Sequence, residues 1–193
     1  MACEFGVSRS GKGGGQLAER ILPVRELHSV LPEADYVVVA APQTKKTAKL
    51  IGAEEIARMK RGARVIHAAR GSLLDEGALV RMLEEGTLHG APLDVTETEP
   101  LPAESPLGKA PRLFITPYTS AMSDRLWTRQ KEMLLDLLER WFDRREMFNV
   151  VDFEKGIENK NGVKSGRRKV QETRFTGSSP AVSGKVILCS FRV

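Results

Sequence analysis

Apolar residues along the first 150 positions fall into two alternating kinds of run. Tyr36-Val37-Val38-Val39-Ala40-Ala41 is continuous and apolar up to Pro42. Such a run predicts a parallel strand of an α/β sheet, buried on both faces. Ala63-Arg64-Val65-Ile66-His67-Ala68-Ala69 predicts the next strand, and Pro92-Leu93-Asp94-Val95 and Leu113-Phe114-Ile115-Thr116 two more. Between them the period lengthens to that of a helix. Ala53 to Lys60 sets Ile56, Ala57 and Met59 beside charged positions and stops at Gly62. Asp75 to Glu85 carries Leu79, Val80, Met82 and Leu83 and closes at Gly86, as helix C-termini prefer. The longest helix is predicted from Ser123 to Glu146, with Leu126, Gln130, Leu134, Leu137, Leu138, Trp141 and Phe142 on one stripe. Upstream, Glu4 to Ser8 predicts a strand that ends in the turn Arg9-Ser10-Gly11. Lys12-Gly13-Gly14-Gly15 follows as a flexible loop, and Leu27 to Leu31 as one helical turn before Pro32. Strands alternating with helices predict a parallel, doubly wound sheet.

The pattern stops after Asp152. Gly156 to Gly184 is rich in Gly, Lys, Arg, Ser and Asn and lacks periodicity, so it is expected to be disordered. Val186-Ile187-Leu188 is an apolar island with no evident partner. The expected organisation is a folded domain over residues 1–153 and a basic, disordered tail over residues 154–193.

Charge supports that division. The net charge is +5, but from Lys155 onward nine Lys/Arg face two Asp/Glu, leaving 21 basic and 23 acidic residues before it. The basic character belongs to the tail. No aromatic residue interleaves with its densest cluster, Arg167-Arg168-Lys169, so a solvated extension is expected in preference to a nucleic-acid or membrane contact. The only cysteines, Cys3 and Cys189, are too few for a disulfide framework or a cysteine zinc site, and no metal site is expected. No apolar run approaches the ~20 residues that span a bilayer, and the opening residues have no apolar core of a secretory signal. A reducing compartment, the cytoplasm, is expected.

Three polar stretches follow strand C-termini in order, the place where ligands bind in open α/β sheets. They are Ala69-Arg70-Gly71, Asp94-Val95-Thr96-Glu97-Thr98-Glu99-Pro100, and Thr116-Pro117-Tyr118. Alone, Arg70 reads as a surface salt-bridge arginine and Glu99 as a helix-cap acid. Their joint spacing argues otherwise. Ser10-Gly11-Lys12-Gly13-Gly14-Gly15 invites a phosphate-loop reading, but a P-loop needs Ser or Thr directly after its lysine, and Gly13 stands there. His67 lies on a strand among apolar residues and is expected to be a hydrogen-bonded structural histidine. His28 and His89 show no partner constellation.

These stretches resemble the D-isomer-specific 2-hydroxyacid dehydrogenases of the glyoxylate/hydroxypyruvate reductase type. That family reads strand-ARG-x-x-x-[DE]-E, then LDV-x-x-x-EP, then TPH and a long helix. Arg70 to Glu76, Leu93 to Pro100, the lead-in Leu31 to Val39 and the closing Asn149-Val150-Val151-Asp152 match it. The resemblance implies a Rossmann-type sheet and an NAD(P)-dependent oxidoreductase acting on the CH–OH group of small 2-hydroxy acids. It implies that Arg70 forks its guanidinium onto the substrate carboxylate and carbonyl. It implies that Glu99 supports a proton-transferring histidine. In that histidine's place stands Tyr118, whose unperturbed pKa of about 10 makes it a poor acid/base partner near neutrality beside about 6.5 for imidazole. Activity is therefore expected to be impaired, with a non-catalytic dinucleotide-binding or dimerising module as the alternative. The resemblance also implies that Ala41, Pro42, Thr44, Ala68, Ala69, Arg70, Asp94, Tyr118 and Ser120 line the nicotinamide side, and Ser8, Arg9 and Ser10 the adenosine side. Ser8-Arg9, in place of an acidic residue, suits a 2′-phosphate and favours NADP over NAD. The implied partners are a small 2-oxo or 2-hydroxy acid and, for a full-length relative, a second copy in a homodimer. The family's G-x-G-x-x-G turn is nowhere in the sequence. The expectation is an N-terminally truncated domain whose sheet lacks its first, central strand.

Overall fold

The computed structural model describes residues 3–11, 18–152, 157–158 and 186–189. The expected Lys12–Gly15 loop and most of the expected disordered tail lie outside these residues. The described residues form two compact units, one of residues up to 120 with 186–189 and one of residues from 121 to 158.

The first unit is one seven-stranded sheet, parallel at every pairing. Its strands are β1 (Cys3–Ser8), β2 (Ala18–Pro23), β3 (Tyr36–Val39), β4 (Arg64–His67), β5 (Ala91–Leu93), β6 (Leu113–Ile115) and β9 (Val186–Cys189). Strands β7 (Val151–Asp152) and β8 (Ile157–Glu158) form a separate antiparallel pair. Helices α1 (Leu27–Val30), α2 (Ala53–Arg58) and α3 (Glu76–Glu84) alternate with the strands, and α4 (Leu126–Phe142) belongs to the second unit.

The strand order is β2-β1-β9-β3-β4-β5-β6. Succession runs outward in opposite directions on the two sides of β9, which is the doubly wound order with its switch point at the central strand. The expected gap there is filled. Val186–Cys189 runs between β1 and β3, so the apolar island that lacked an evident partner has two. Ile157 and Glu158, within the expected disordered stretch, pair with Asp152 and Val151. The β9 pairings are non-local and the β7–β8 pairing is a short hairpin, and composition carries no sign of either.

Burial on the strands alternates. Val37, Val39, Val65 and His67 are buried with Leu27, Val30, Ile56, Leu79 and Leu83, while Tyr36, Val38, Arg64 and Ile66 are half-buried. The expectation of equal burial on both faces is corrected to one sealed face and one half-covered. Helix α3 is fixed at both ends: the Asp75 side chain accepts from the Ala78 N–H at 2.9 Å, and Gly86 takes φ +70° just beyond its last turn. Helix α4 is shorter than the Ser123–Glu146 pattern. Its apolar residues Leu134, Leu138, Trp141 and Phe142 are exposed, and none of its residues is buried.

Candidate active site

The sheet's hydrogen-bond ladder continues one step past the strand ends. The Ala68 N–H donates to Val39 O, Asp94 N–H to His67 O at 2.8 Å, Thr116 N–H to Leu93 O at 2.9 Å, and Tyr118 N–H to Asp94 O at 3.1 Å. Three loops therefore leave the sheet from neighbouring points, carrying Arg70, Glu99 and Tyr118 with them.

Arg70 is exposed. Its Nη1 donates to Ala69 O at 2.7 Å, and its guanidinium lies 5.3 Å from the centre of the Tyr118 ring. That places a cation over an aromatic face, with the remaining guanidinium N–H groups unpartnered among the described residues. Behind it, His67 is only 1% exposed, and its Nε2 donates to Arg70 O at 3.0 Å. This is the expected structural histidine, and it anchors the carbonyl from which the catalytic candidate projects. Burial pushes the His67 imidazole below its ordinary value, while the carbonyls of Arg70 and Val39 oppose the shift. The native protein thus refuses a proton that the unfolded chain accepts. This contribution to stability is present above the ordinary histidine pKa of 6.5 and is lost as pH falls through the depressed one. The urea midpoint should fall as pH drops from 7.5 to 5.5, with a slope of at most ~1.4 kcal/mol per pH unit. His67→Gln, which keeps a donor and cannot titrate, should flatten that limb; an unchanged limb would place the titration elsewhere.

Tyr118 has φ +57°, a left-handed conformation unusual for a bulky residue, and the residue is 51% exposed. Two carbonyls hold its N–H, those of Asp94 and Thr116. Asp94 organises the rest of this loop. Its carboxylate accepts from the Thr116 hydroxyl, from Thr119 N–H at 2.8 Å and from Ser120 N–H at 2.9 Å. Burial opposes its ionisation, but the hydrogen bonds from Ser120, Thr116 and Thr119 outweigh burial and hold the carboxyl well below the usual carboxylate range. Asp94 and Ser120, expected beside a cofactor, are thus joined to each other.

Asp94→Asn puts an amide where only acceptors fit, and should cost about 1–3 kcal/mol at neutral pH. The sign with pH follows from the depressed value. The Asp94 contribution is complete above about pH 4 and declines as pH falls below it, so the variant's deficit should shrink in acid. Urea titrations at pH 7 and pH 3 check this.

Glu99 is exposed, and its Oε1 accepts from Thr96 N–H at 3.0 Å, with no hydrogen bond to Tyr118 among the described residues. Both residues nevertheless line one cavity of about 360 Å³ with Asp94, Thr96, Leu101 and Thr116. That volume falls in the range of small-ligand sites.

The loops also lock to one another through residues that sequence reasoning missed. Thr47 is buried; its hydroxyl accepts from Thr44 N–H at 2.8 Å and donates to Pro42 O at 2.8 Å, shaping the segment after Ala41. Lys49 Nζ pairs with Glu97 at 2.9 Å, and Glu97 N–H donates to Glu76 at 2.6 Å. Burial raises the Glu76 pKa. Gly71 lies directly against the Thr96–Glu97 backbone. On the other side of β9, Ser8 is buried at the end of β1, and Arg9 and Ser10 are exposed beyond it.

Elsewhere, His28 does have partners. Its Nε2 lies 2.6 Å from Glu55, and its Nδ1 3.8 Å from Glu54, both on α2. Both carboxylates are already engaged, Glu54 by Arg58 and Glu55 by Gly52 N–H. His89 is exposed. No helix among the described residues is long and apolar enough to cross a membrane.

An open parallel sheet with polar loops gathered at its strand C-termini, around a switch point, defines a Rossmann-type α/β protein. The chain belongs to the family of D-isomer specific 2-hydroxyacid dehydrogenases, NAD binding domain, whose family model matches residues 5–120. Glyoxylate/hydroxypyruvate reductase B of Yersinia enterocolitica is 45% identical over 92 residues, 48% of this chain and 28% of the reductase. A D-isomer specific 2-hydroxyacid dehydrogenase of Xanthobacter autotrophicus, solved with NADPH, is similar with a TM-score of 0.70 at 32% identity, covering 79% of this chain and 62% of that one. The NADPH-dependent glyoxylate/hydroxypyruvate reductase of Sinorhizobium meliloti, solved with NADP, gives 0.69 at 28% identity over 79% of this chain and 48% of that one. The chain therefore spans less than a third of the curated reductase and about half of the second structure.

Proposed function

We propose that the chain is the dinucleotide-binding part of an NADP-dependent reductase of small 2-oxo acids, of the glyoxylate/hydroxypyruvate type, with weakened proton transfer. The observation that carries this is the Arg70 guanidinium held over the ring of Tyr118, a residue that lines one cavity with Glu99. The bound cofactor would supply the hydride. Arg70 would fork onto the substrate carboxylate and polarise the neighbouring carbonyl with its unpartnered N–H groups. Tyr118 would donate a hydrogen bond to that carbonyl, with Glu99 nearby as the carboxylate of the site.

The residues fit the two ends of a dinucleotide. Ala41, Pro42, Thr44, Ala68, Ala69, Asp94 and Ser120 would surround the nicotinamide end, where Ala68 is exposed and small. Ser8, Arg9 and Ser10 serve the adenosine end, and the exposed Arg9 suits a 2′-phosphate. The NADP(H) complexes of the two solved relatives support that preference. The G-x-G-x-x-G pattern, whose helix N-terminus holds a pyrophosphate, does not occur in the sequence. The exposed apolar stripe of α4 suits burial against a second copy, and the scarce, widely spaced cysteines suit the cytoplasm.

The test is NADPH and NADH titration followed by Trp fluorescence, together with glyoxylate and hydroxypyruvate reduction. NADPH should bind more tightly than NADH, and Arg9→Asp should reverse the order. Equal affinities, unchanged by Arg9→Asp, would refute the phosphate role. The second reading, a non-catalytic dinucleotide-binding or dimerising module, is favoured by one observation: the Glu99 carboxylate is engaged by Thr96 N–H and not by Tyr118. Nucleotide binding without any turnover would select it.

A further inference from the structure

Strand β9 is the last described strand of the chain, yet it lies inside the sheet, third of its seven strands. Seventy residues separate it from Ile115 at the end of β6, whereas consecutive strands usually lie side by side after short connections. Its pairing is double. Phe5, Gly6 and Val7 of β1 stand opposite Ile187, Leu188 and Cys189, and Tyr36 to Val39 of β3 stand opposite Val186 to Cys189. Strands β1 and β3 do not pair with each other. With neighbouring strands about 4.8 Å apart, they are held roughly 10 Å apart across β9. Backbone hydrogen bonding from one half of the sheet to the other passes through β9 alone.

The two halves carry different parts of the candidate site. Ser8 ends β1 and Arg9 and Ser10 follow it, while Ala41 to Thr44, Arg70 and Asp94 follow β3, β4 and β5. Cys189 is level with both Val7 and Val39, so β9 ends where both groups begin. Its sequence suits the position: Val186-Ile187-Leu188 is apolar and rich in β-branched residues, between Gly184-Lys185 and Ser190. Only four residues make the pairing, and a long stretch of sequence delivers them.

We propose that the gap between β1 and β3 is a strand-binding site, that this chain's own Val186–Cys189 docks there as a tethered and displaceable strand, and that docking sets the spacing of the two halves of the dinucleotide cleft. Attachment through the chain raises the strand's effective concentration at the gap, while the seventy-residue connection from β6 makes it the strand whose release returns the most loop-closure entropy. The proposal concerns assembly of the sheet and holds whether or not the site turns over substrate.

Hydrogen exchange on the full chain tests it. In the intact protein, amides of residues 186–189 should exchange at least tenfold faster than those of Val65 and Leu93, through local opening. Equal rates would overturn displaceability. Ile187→Pro removes an N–H and cannot be accommodated in a central strand. It should speed exchange at Phe5, Val7, Tyr36 and Val38 at least tenfold and leave Leu79 and Leu93 unchanged. A synthetic peptide of residues 183–193 should then restore protection saturably. Unchanged exchange in β1 and β3 would show that the strand does not dock. Loss of protection throughout the unit, without rescue by the peptide, would make β9 an integral core strand. An intact protein that is dimeric while Ile187→Pro is monomeric would show that a second copy supplies the strand, overturning docking within one chain.

Discussion

Gly71→Ala is expected to destabilise the protein by ~3 kcal/mol or more and to displace Arg70. A Cβ at residue 71 would lie well inside 3.0 Å of the Thr96 carbonyl and the Glu97 nitrogen, closer than real Cβ atoms approach anything. Both neighbours are backbone, so no side-chain rotation relieves the clash. Overpacking of cores commonly costs ~1–3 kcal/mol, and a clash with fixed backbone belongs at or beyond the top of that range. The neighbouring segments cannot retreat independently. Ile51 N–H donates to Leu73 O at 2.9 Å, Asp75 N–H to Ile51 O at 2.9 Å, and Glu97 N–H to Glu76 at 2.6 Å. The strain should therefore pass to Arg70, which precedes Gly71, and separate its guanidinium from the Tyr118 ring. Gly77→Ala is the matched control. It lies in the first turn of α3, where an added Cβ meets nothing nearer than 3.5 Å, and removing a helical glycine should stabilise by up to ~1 kcal/mol. Urea unfolding of the two variants should thus move in opposite directions. If Gly71→Ala is as stable as the parent, the close approach of the Arg70 and Glu99 loops does not exist in solution.

That contact was invisible in the sequence, and its kind explains most of what was. Strands β3 and β4 and helix α3 were legible because their signals are local: β-branched runs for the strands, and for the helix a 3.6-residue period with a stop at Gly86. Strand β2 was not, because it carries Glu19 and Arg20 and lies at the sheet's edge, where those side chains are exposed. Strand β9 was legible as an apolar run, but its partners are far away in sequence. The half-covered face of β3 was hidden for a related reason, since a continuous apolar run does not say how much covers each side.

The site divides in the same way. Motif spacing placed Arg70, Glu99 and Tyr118 at the ends of three strands, and the sheet brings those ends together. It could not show that Asp94 spends its carboxylate on Thr116, Thr119 and Ser120, or that Thr47 shapes the loop after Ala41, because hydroxyl and amide partners are set by loop geometry. The partners of His28 escaped for the same reason, lying on a different helix. Lys49, Glu76 and Glu97 look like ordinary surface charges in sequence; their link across three loops exists only in the fold.

The second large effect is expected at Tyr118. If the site performs the proposed reduction with a weakened proton donor, Tyr118→His should raise NADPH-dependent reduction of glyoxylate or hydroxypyruvate by ~10²-fold or more, the usual worth of a positioned acid/base. The backbone favours this exchange. Residue 118 has φ +57°, and histidine is among the non-glycine residues that enter the left-handed region more readily than most. The imidazole would stand between two opposing influences. Arg70, now stacked on the tyrosine ring, would disfavour its protonation, and Glu99, across the shared cavity, would favour it. A pH dependence near neutrality should therefore appear in the variant, and Glu99→Gln added to it should lower the apparent pKa. Tyr118→Phe asks the converse question, since it keeps the ring over Arg70 and removes only the hydroxyl. A small residual rate in the parent that falls further in Tyr118→Phe would identify the phenol as a weak donor. A parent that already turns over well and is abolished by Tyr118→Phe would make the phenol the working acid and end the impaired-enzyme reading. Rates that stay at background in all variants while NADPH still binds would leave the non-catalytic module as the better account. Steady-state rates of the parent, Tyr118→His, Tyr118→Phe and the Tyr118→His/Glu99→Gln double variant across pH 5 to 9 separate these outcomes.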